Sequence, residues 1–517
     1  MTEKDRTLKV GVGKSLQNGT NGYHFFLKAK RISIRTGNAW VALIHKTDAE
    51  RLGIMPGDEL KIEWQNKITE VAVDITEELI LAGEIGLFID IIEKYDISEQ
   101  ELLKLSFAKR APSLKAIYKK LKGQKLNFNE IYQIVKDIVD RRLNNIEVAF
   151  FVAPSFNEKN FLLDEIYYMT KSVAMLGDNL KFGDVVADKH STGGLPGNRL
   201  TPLVVSMVSS FGVCIPKTSS RSITSPAGTA DAMESIMKVD FTTDEIKQIV
   251  NDNNACLVWG GSLRLAPADD IIIEVTRDLG IEPYSKMVIS VMSKKVAMGV
   301  TDLLIDIPVS KGAKIPDMET AKRIEKLFLF LAKKFKIRTH IYISKTFGPI
   351  GRGIGPALEA RDVLRVLQQK DNRPLDLELK AIKQAGKLLE MTKIAKRGKG
   401  EDMARTNLKN GLAFQKMMNI VKSQKGNSAM DSEDVKVGPY FFEVLAKEKG
   451  RVEAINNRDI VEICSLLGTP KLKGSGIYLN KNVSEIYEKG DVLFTLYSES
   501  ETRLNMAKNA ISQIKLL

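Results

Sequence analysis

Cysteine and histidine are scarce in this chain of 517 residues: there are three cysteines, Cys214, Cys256 and Cys464, and four histidines, His24, His45, His190 and His340. The cysteines lie far apart with no CxxC spacing, which supports neither a disulfide framework nor a thiolate zinc site. A reducing, cytoplasmic compartment is expected. The histidines form no HExxH-type pair, so no metal site is expected. Aromatic residues make up only 7% of the chain, without an RNP-like motif, which leaves no evident stacking platform for RNA. Long apolar runs are missing too. The longest stretch, around Pro202 to Pro216, is broken by serines and a glycine, and the opening MTEKDRTLKV is polar. Neither a membrane span nor a signal peptide is expected. No internal repeat or low-complexity tract is visible.

What is present is ordinary globular composition, 44% apolar and 27% charged, in a length that predicts about three domains. Lysine and arginine (77) outnumber aspartate and glutamate (64), a net charge of +13 that points to an anionic partner without naming one.

Residues 1–95 alternate apolar and polar positions, as in Arg31 to Arg35 and Leu60 to Trp64, with Pro56-Gly57-Asp58 as a turn signal. This predicts a small β-rich domain. Beyond it the period changes: Ile131, Ile134, Val135, Ile138 and Val139 follow helical spacing, as do Ile166, Met169 and Val173, which predicts a helical lobe over residues 96–180. From Gly183 short apolar runs alternate with helical patterns, and the alternation resumes at Leu303 to Ile307 and His340 to Ser344. Residues 181–269 and 301–430 therefore read as an α/β lobe with a mostly parallel sheet, interrupted by a stretch near 270–300 that completes the helical lobe. Lysine-rich segments at 393–399 and 409–422 read as solvated helix faces and loops. Residues 435–517 read as a C-terminal α+β domain, with Gly474-Ser475-Gly476 among its turn signals.

The most informative stretch is Asp188-Lys189-His190-Ser191-Thr192-Gly193-Gly194-Leu195-Pro196-Gly197-Asn198, which follows a short strand and precedes a helix predicted to have Thr201 at its N-cap, Pro202 at N1 and Gly212 just past its end. Glycines admit close backbone approach, a helix N-terminus offers free N–H groups, and lysine and serine add a charge and a hydroxyl. A second loop, Lys217 to Thr229, again sets hydroxyls, an arginine and small residues before a helix. Adjacent parallel strands would bring both loops to one sheet edge, where open α/β sheets bind ligands. A ligand-free turn remains the competing reading of either loop, and Thr201 could serve only as a cap. Gly351-Arg352-Gly353-Ile354-Gly355 lacks the spacing of a dinucleotide fingerprint.

The motif from Asp188 to Gly194, followed by Ser219-Ser220-Arg221, Ala227 to Asp231 and Glu234, resembles the signature of the thymidine/pyrimidine-nucleoside phosphorylase family. Trp259-Gly260-Gly261, Leu265 to Asp269, Ser290 to Lys295 and Gly355 to Glu359 extend the match from about residue 100 to the C-terminus. The N-terminal extension and the stretch Ser219 to Asp231 resemble the longer branch that includes AMP phosphorylases. The resemblance implies an enzyme with a helical lobe and an α/β lobe that cleaves a nucleoside with inorganic phosphate, needs no cofactor, and assembles as a homodimer or larger oligomer through no nucleic acid or membrane.

By that resemblance Lys189, Ser191, Ser219 and Thr229 cradle phosphate, with backbone N–H groups near Gly194 and Thr201. His190 lies near the sugar and the base carbonyl, and a histidine can donate a proton near neutral pH where its surroundings permit. Ser290 and Lys294, at i and i+4, would hold the base edge from one helix face, although a solvated Lys294 is the plain alternative. Arg277 resembles a base-contacting arginine, at a shorter spacing to Ser290 than the family pattern. Glu282, in Ile281-Glu282-Pro283, stands where the AMP phosphorylase branch has an aspartate that protonates the base. That branch also implies that Ser220, Arg221, Ser222, Ile223, Thr224 and Ser225, together with Lys314, touch a nucleotide, though Lys314 reads equally as a loop lysine. Lys189 before His190 matches thymidine phosphorylases instead. The leading expectation is therefore thymidine phosphorolysis, with nucleoside 5′-monophosphate phosphorolysis as the alternative. Phosphoribosyl transfer with Mg²⁺ on Asp269-Asp270 is a remote third reading, since anthranilate phosphoribosyltransferase-like proteins share such a two-lobed fold.

Overall fold

Period-two alternation of side chains becomes a closed barrel in the N-terminal region. The computed structural model describes residues 13–14, 23–36, 40–108, 110–156, 161–222, 225–279, 283–310 and 313–511, and the chain divides into two units, Met1–Ala153 and Pro154–Leu517. The first unit contains β1 (Gly13–Lys14), β2 (Tyr23–Ile32), β3 (Val41–His45), α1 (Lys46–Leu52), β4 (Glu59–Trp64), β5 (Lys67–Thr76), β6 (Glu84–Phe88), α2 (Ile89–Tyr95) and β7 (Leu102–Phe107). The strands pair in the order β1-β2-β6-β3-β5-β4-β7, and β7 pairs back onto β2, so the last six close on themselves. Closure leaves those strands no free edge. Leu27, Ile44, Leu60, Ile62, Val73, Ile85, Leu87, Leu103 and Leu105 fill the interior, and each such side chain contributes about 1.5–3 kcal/mol when fully buried.

β7 departs from the helical reading of the segment after residue 96. In Leu102-Leu103-Lys104-Leu105-Ser106-Phe107 the leucines at 103 and 105 point inward while Leu102 and Phe107 are exposed. Barrel closure selects this period-two face from a run whose apolar residues fit either pattern. Helices follow at α3 (Leu114–Leu121), α4 (Phe128–Val139) and α5 (Asn145–Val152). Capping boxes Asn127/Glu130 and Asn144/Glu147 start the last two.

The second unit opens with α6 (Leu163–Met175) and then alternates: β8 (Ala187–Ser191), α7 (Leu200–Ser209), β9 (Ile215–Ser219), α8 (Thr229–Met233), α9 (Thr243–Asn253), β10 (Ala255–Trp259), α10 (Pro267–Asp278), α11 (Tyr284–Ala297), β11 (Asp302–Val309), α12 (Met318–Phe335) and β12 (Arg338–Lys345). Every pairing among these strands is parallel. β10 pairs with β9, β8 and β12 flank β11, and the bridge Val186↔Cys214 joins the two groups next to β8 and β9. The spatial order is thus β10-β9-β8-β11-β12. Chain order runs outward from β8 to β10 on one side and resumes at β11 on the other, so the direction of travel switches at β8. In open α/β sheets such a switch opens a crevice outside the C-terminal ends of the strands, where ligands bind.

β13 (Gly353–Ile354), α13 (Pro356–Leu367), α14 (Leu375–Met391), α15 (Gly400–Lys409) and α16 (Leu412–Ser423) complete the covering layer. All ten residues of α7 are buried, in a core shared with α13, α14 and α16. β14 (Tyr440–Leu445), β15 (Gly450–Arg451), α17 (Asn457–Leu467), β16 (Gly476–Leu479), β17 (Ile486–Tyr487), β18 (Val492–Ser498) and α18 (Glu501–Ile511) follow. Their main sheet, β13-β16-β18-β14, takes its first strand from the α/β part. Among the described residues no helix is long and apolar enough to cross a membrane.

Candidate active site

β8 carries the Asp188 to Ser191 motif at the switch point, and its pleat sends alternate side chains to opposite faces. Lys189 and Ser191 fall on one face, Asp188 and His190 on the other.

On the Lys189 face the organising group is Asp306 of β11, opposite Ser191 in register. Its Oδ2 lies 3.8 Å from Lys189 Nζ and accepts from Ser191 Oγ at 3.3 Å and Asn198 Nδ2 at 3.4 Å. Its Oδ1 is 3.2 Å from Nζ of Lys380, a buried lysine of α14. Lys189 is fully buried, and its ammonium has no hydrogen-bond partner among the described residues. Burial lowers Lys189 to about 8 against the opposing pull of Asp306.

On the opposite face Asp188 is gripped by two lysines, Lys217 of β9 at 3.1 Å and Lys295 of α11 at 2.5 Å. Burial alone would raise its carboxyl, and the two ammonium groups outweigh that and hold it below the usual range. Burial brings Lys217 down to about 7. His190 is held well below its ordinary value, first by burial and then by Lys295, Lys217, Lys189 and Lys294. The imidazole is therefore neutral near pH 7 and can donate a hydrogen bond there.

Two glycines let the loops approach their neighbours. Gly194 has φ +81°, and a Cβ there would meet Lys314 Cβ at 2.6 Å, so Lys314 lies directly against the first loop. A Cβ on Gly228 would meet the Ser220 carbonyl at 2.5 Å, which folds the second loop back on itself. Within it Asp231 Oδ2 accepts from the backbone N–H of Ser222 at 2.7 Å and of Gly228 at 2.9 Å. Arg221 donates to both oxygens of Glu234 at 2.6 and 2.7 Å and stacks 4.9 Å from the Trp259 ring. Lys473 adds a second cation 2.6 Å from Glu234, whose carboxyl drops to about 2, chiefly through Arg221. The Arg221 guanidinium thus holds the loop's shape. Ser225 Oγ donates to the Ala227 carbonyl at 2.9 Å, Ser220 is exposed, and Ser219 Oγ, at the end of β9, has no hydrogen-bond partner among the described residues. Ile223 and Thr224 lie outside the described residues, as does Glu282.

One arginine links the two loops. Arg199 donates from Nε to Glu359 Oε2 at 2.7 Å, from NH1 to Thr229 Oγ1 at 2.7 Å and from NH2 to the Ala227 carbonyl at 2.8 Å. Burial pushes the Glu359 carboxyl up, opposed by Arg199. The predicted helix start is corrected here. Arg199, anchored on Glu359, occupies the cap position and α7 begins at Leu200, so Thr201 sits buried inside the first turn. Its backbone N–H is one of the first-turn donors without an intrahelical acceptor.

In the helical part, Ser290 Oγ donates to Asp269 Oδ2 at 2.6 Å and Lys294 Nζ to the same oxygen at 2.5 Å. Asp269 and Asp270 raise Lys294 against the lowering effect of burial. These residues form one cluster. Arg277 lies eight residues beyond Asp269 on α10, about 12 Å along the helix axis, and its neighbour Thr276 accepts from Lys286 near the start of α11 at 3.1 Å. Asp269 already serves as acceptor for a lysine and a serine. Among the described residues no group of three or more His, Cys, Asp or Glu side chains could hold a metal ion.

Asp306, Lys380, Arg199, Lys217 and Lys295 were not singled out as site residues from sequence. A lone carboxylate in the otherwise apolar run Leu303 to Ile307 is the signal that could have found Asp306, because a buried charge requires partners.

Residues 183–414 match the family described as "Glycosyl transferase family, a/b domain". The chain is 41% identical over 492 residues to the AMP phosphorylase of Methanocaldococcus jannaschii, covering 95% of this chain and 96% of that one. It is 43% identical over 484 residues to the AMP phosphorylase of Pyrococcus furiosus, covering 93% and 95%. Among solved structures, anthranilate phosphoribosyltransferase from Thermus thermophilus superposes with a TM-score of 0.51 at 15% identity, over 60% of this chain and 99% of that one. That likeness shows a shared fold and carries no activity. The relatives overturn the leading expectation of thymidine phosphorolysis: those matched nearly end to end are AMP phosphorylases. The residue that misled was Lys189. It lies on the opposite face of β8 from His190, beside Asp306, and so says little about the base.

Proposed function

The chain belongs to the thymidine/pyrimidine-nucleoside phosphorylase family, in the branch with AMP phosphorylases, and from that premise we propose that it cleaves the N-glycosidic bond of a nucleoside 5′-monophosphate, AMP first, with inorganic phosphate. The products are the free base and ribose 1,5-bisphosphate. The observation that carries this reading is identity near 40% over almost the whole chain, N-terminal unit included.

A phosphate oxygen forms a bond to C1′ as the C1′–N bond breaks, and the base departs with the electron pair and takes up one proton. Lys189, Ser191, Ser219 and Thr229, with backbone N–H groups at Gly194 and Thr201, hold the nucleophile; positioning and charge supply most of the rate. Ser290 and Lys294 hold the base edge. His190, neutral at pH 7, donates a hydrogen bond to the base or sugar, which leaves Glu282 as the proton donor. The loop from Ser220 to Ser225, with Arg221 locked on Glu234, and Lys314 beside Gly194 receive the 5′-phosphate. The reaction needs no cofactor, phosphate being a co-substrate, and the enzyme works in the cytoplasm as a homodimer or larger assembly.

Free base release from AMP, CMP, UMP and adenosine, with and without phosphate, tests the reading. Phosphate-dependent release from AMP, and at least about tenfold less from adenosine in kcat/KM, is expected. Equal turnover of adenosine would remove the 5′-phosphate from recognition, and no release from any monophosphate would sink the reading.

A further inference from the structure

The two anion loops meet through a side chain that cannot itself be the phosphate ligand. Arg199 is buried, and its charge is matched by Glu359, which Nε and NH2 both address. Glu359 is anchored in turn, its Oε1 accepting from the Gly355 N–H at 3.2 Å. The same guanidinium reaches the second loop twice, at the Ala227 carbonyl and at Thr229 Oγ1. A guanidinium only donates, and its planar fork fixes the direction of each N–H.

We propose that Arg199 is a positioning residue for phosphate, acting by orienting the Thr229 hydroxyl. Thr229 Oγ1 accepts a hydrogen bond from NH1 at 2.7 Å, so its own single hydrogen is left to be donated elsewhere. A phosphate oxygen accepts only, and half-buried Thr229 stands at the loop's end beside the first loop, ready to supply that bond. Ser191 differs: its Oγ donates to Asp306 at 3.3 Å and accepts from the Gly193 N–H at 3.4 Å, so its hydrogen must turn from Asp306 before it can meet phosphate. The Arg199–Glu359 pair therefore makes Thr229 a committed donor. A lysine at 199 could neutralise Glu359 but could not serve Ala227 and Thr229 in the same plane.

This inference rests on the phosphorolysis reading for its kinetics but not for its binding arm. Calorimetry with inorganic phosphate alone, and steady-state kinetics with AMP, are measured on wild type, Arg199→Lys, Arg199→Met, Thr229→Val and the double variant Arg199→Met/Thr229→Val, with folding checked by thermal melting. Phosphate Kd and KM should rise about tenfold in Arg199→Met and about fivefold in Arg199→Lys, while KM for AMP changes by less than about twofold. The double variant should be no worse than Thr229→Val, because both changes remove the same hydroxyl donation. Should Arg199→Met melt early, Arg199→Lys, which keeps the charge opposite Glu359, carries the comparison. Unchanged phosphate binding in folded Arg199→Lys, or additive losses in the double variant, would overturn the role of Arg199. A wild type that binds phosphate but releases no base overturns the phosphorolysis reading and leaves this one standing.

Discussion

The two faces of β8 use the same residue types for opposite ends. On one face Asp188 sits between Lys217 and Lys295 at 3.1 and 2.5 Å, a closed triad in which both ammonium groups are engaged. On the other, Asp306 sits between Lys380 and Lys189 at 3.2 and 3.8 Å, and neither ammonium has a hydrogen-bond partner among the described residues. A closed triad joins elements: it ties β8 to β9 and to α11, and so ties the α/β sheet to the helical part. An open one keeps buried ammonium groups without hydrogen-bond partners among the described residues, which suits an arriving anion. Desolvation lowers a lysine on each face, Lys189 to about 8 and Lys217 to about 7, so the missing hydrogen bonds and not the lowering separate the two triads.

The largest expected effect comes from removing the acid of the closed triad. Asp188→Ala leaves two buried lysines unmatched and should cost about 3–5 kcal/mol of stability in a urea melt. Lys189→Ala, which leaves Asp306 paired with Lys380, should unfold at a higher urea concentration than Asp188→Ala yet lose at least about tenfold in kcat/KM for phosphate. Equal stability losses in the two variants would erase the distinction between the faces.

A pH profile sharpens the same point. In its proposed role Lys189 meets phosphate as the ammonium, which is fully present below its lowered value and lost as pH rises through about 8; kcat/KM for phosphate should fall above that pH. His190 is depressed rather than raised, so it is already neutral where Lys189 titrates and should add no decline there. A profile that stays flat well into the alkaline range would show that Lys189 does not carry the anion's charge.

The smallest effect is expected at Lys380. It stands on Oδ1 of Asp306, the oxygen away from Ser191 and Asn198, so Lys380→Met should raise KM for phosphate by only about threefold and leave KM for AMP unchanged. A rise equal to that of Lys189→Ala would make Lys380 a phosphate ligand in its own right.

Much of this was legible beforehand. Helical spacing located α4 and α6, glycine placement located both loops, and strand–helix alternation implied that the loops share a sheet edge. Other features were not legible, for a common reason. Asp306 lies 115 residues from Ser191 and Glu359 lies 160 from Arg199, and no local pattern reports a partner at that separation. β7 was missed because a hexapeptide with four apolar residues fits two periods, and only the closing barrel chooses between them.

By itself the sequence determined the periodicities, the loop chemistry and the family, because these depend on residues close together or on motifs taken in order. The tertiary structure decided which buried lysines are hydrogen-bonded and which are not, that Arg221 pairs with Glu234, and that Arg199 reaches the second loop. Those outcomes depend on distances between charges brought together from remote parts of the chain, and in a buried site a change of less than an ångström separates a closed triad from an open one.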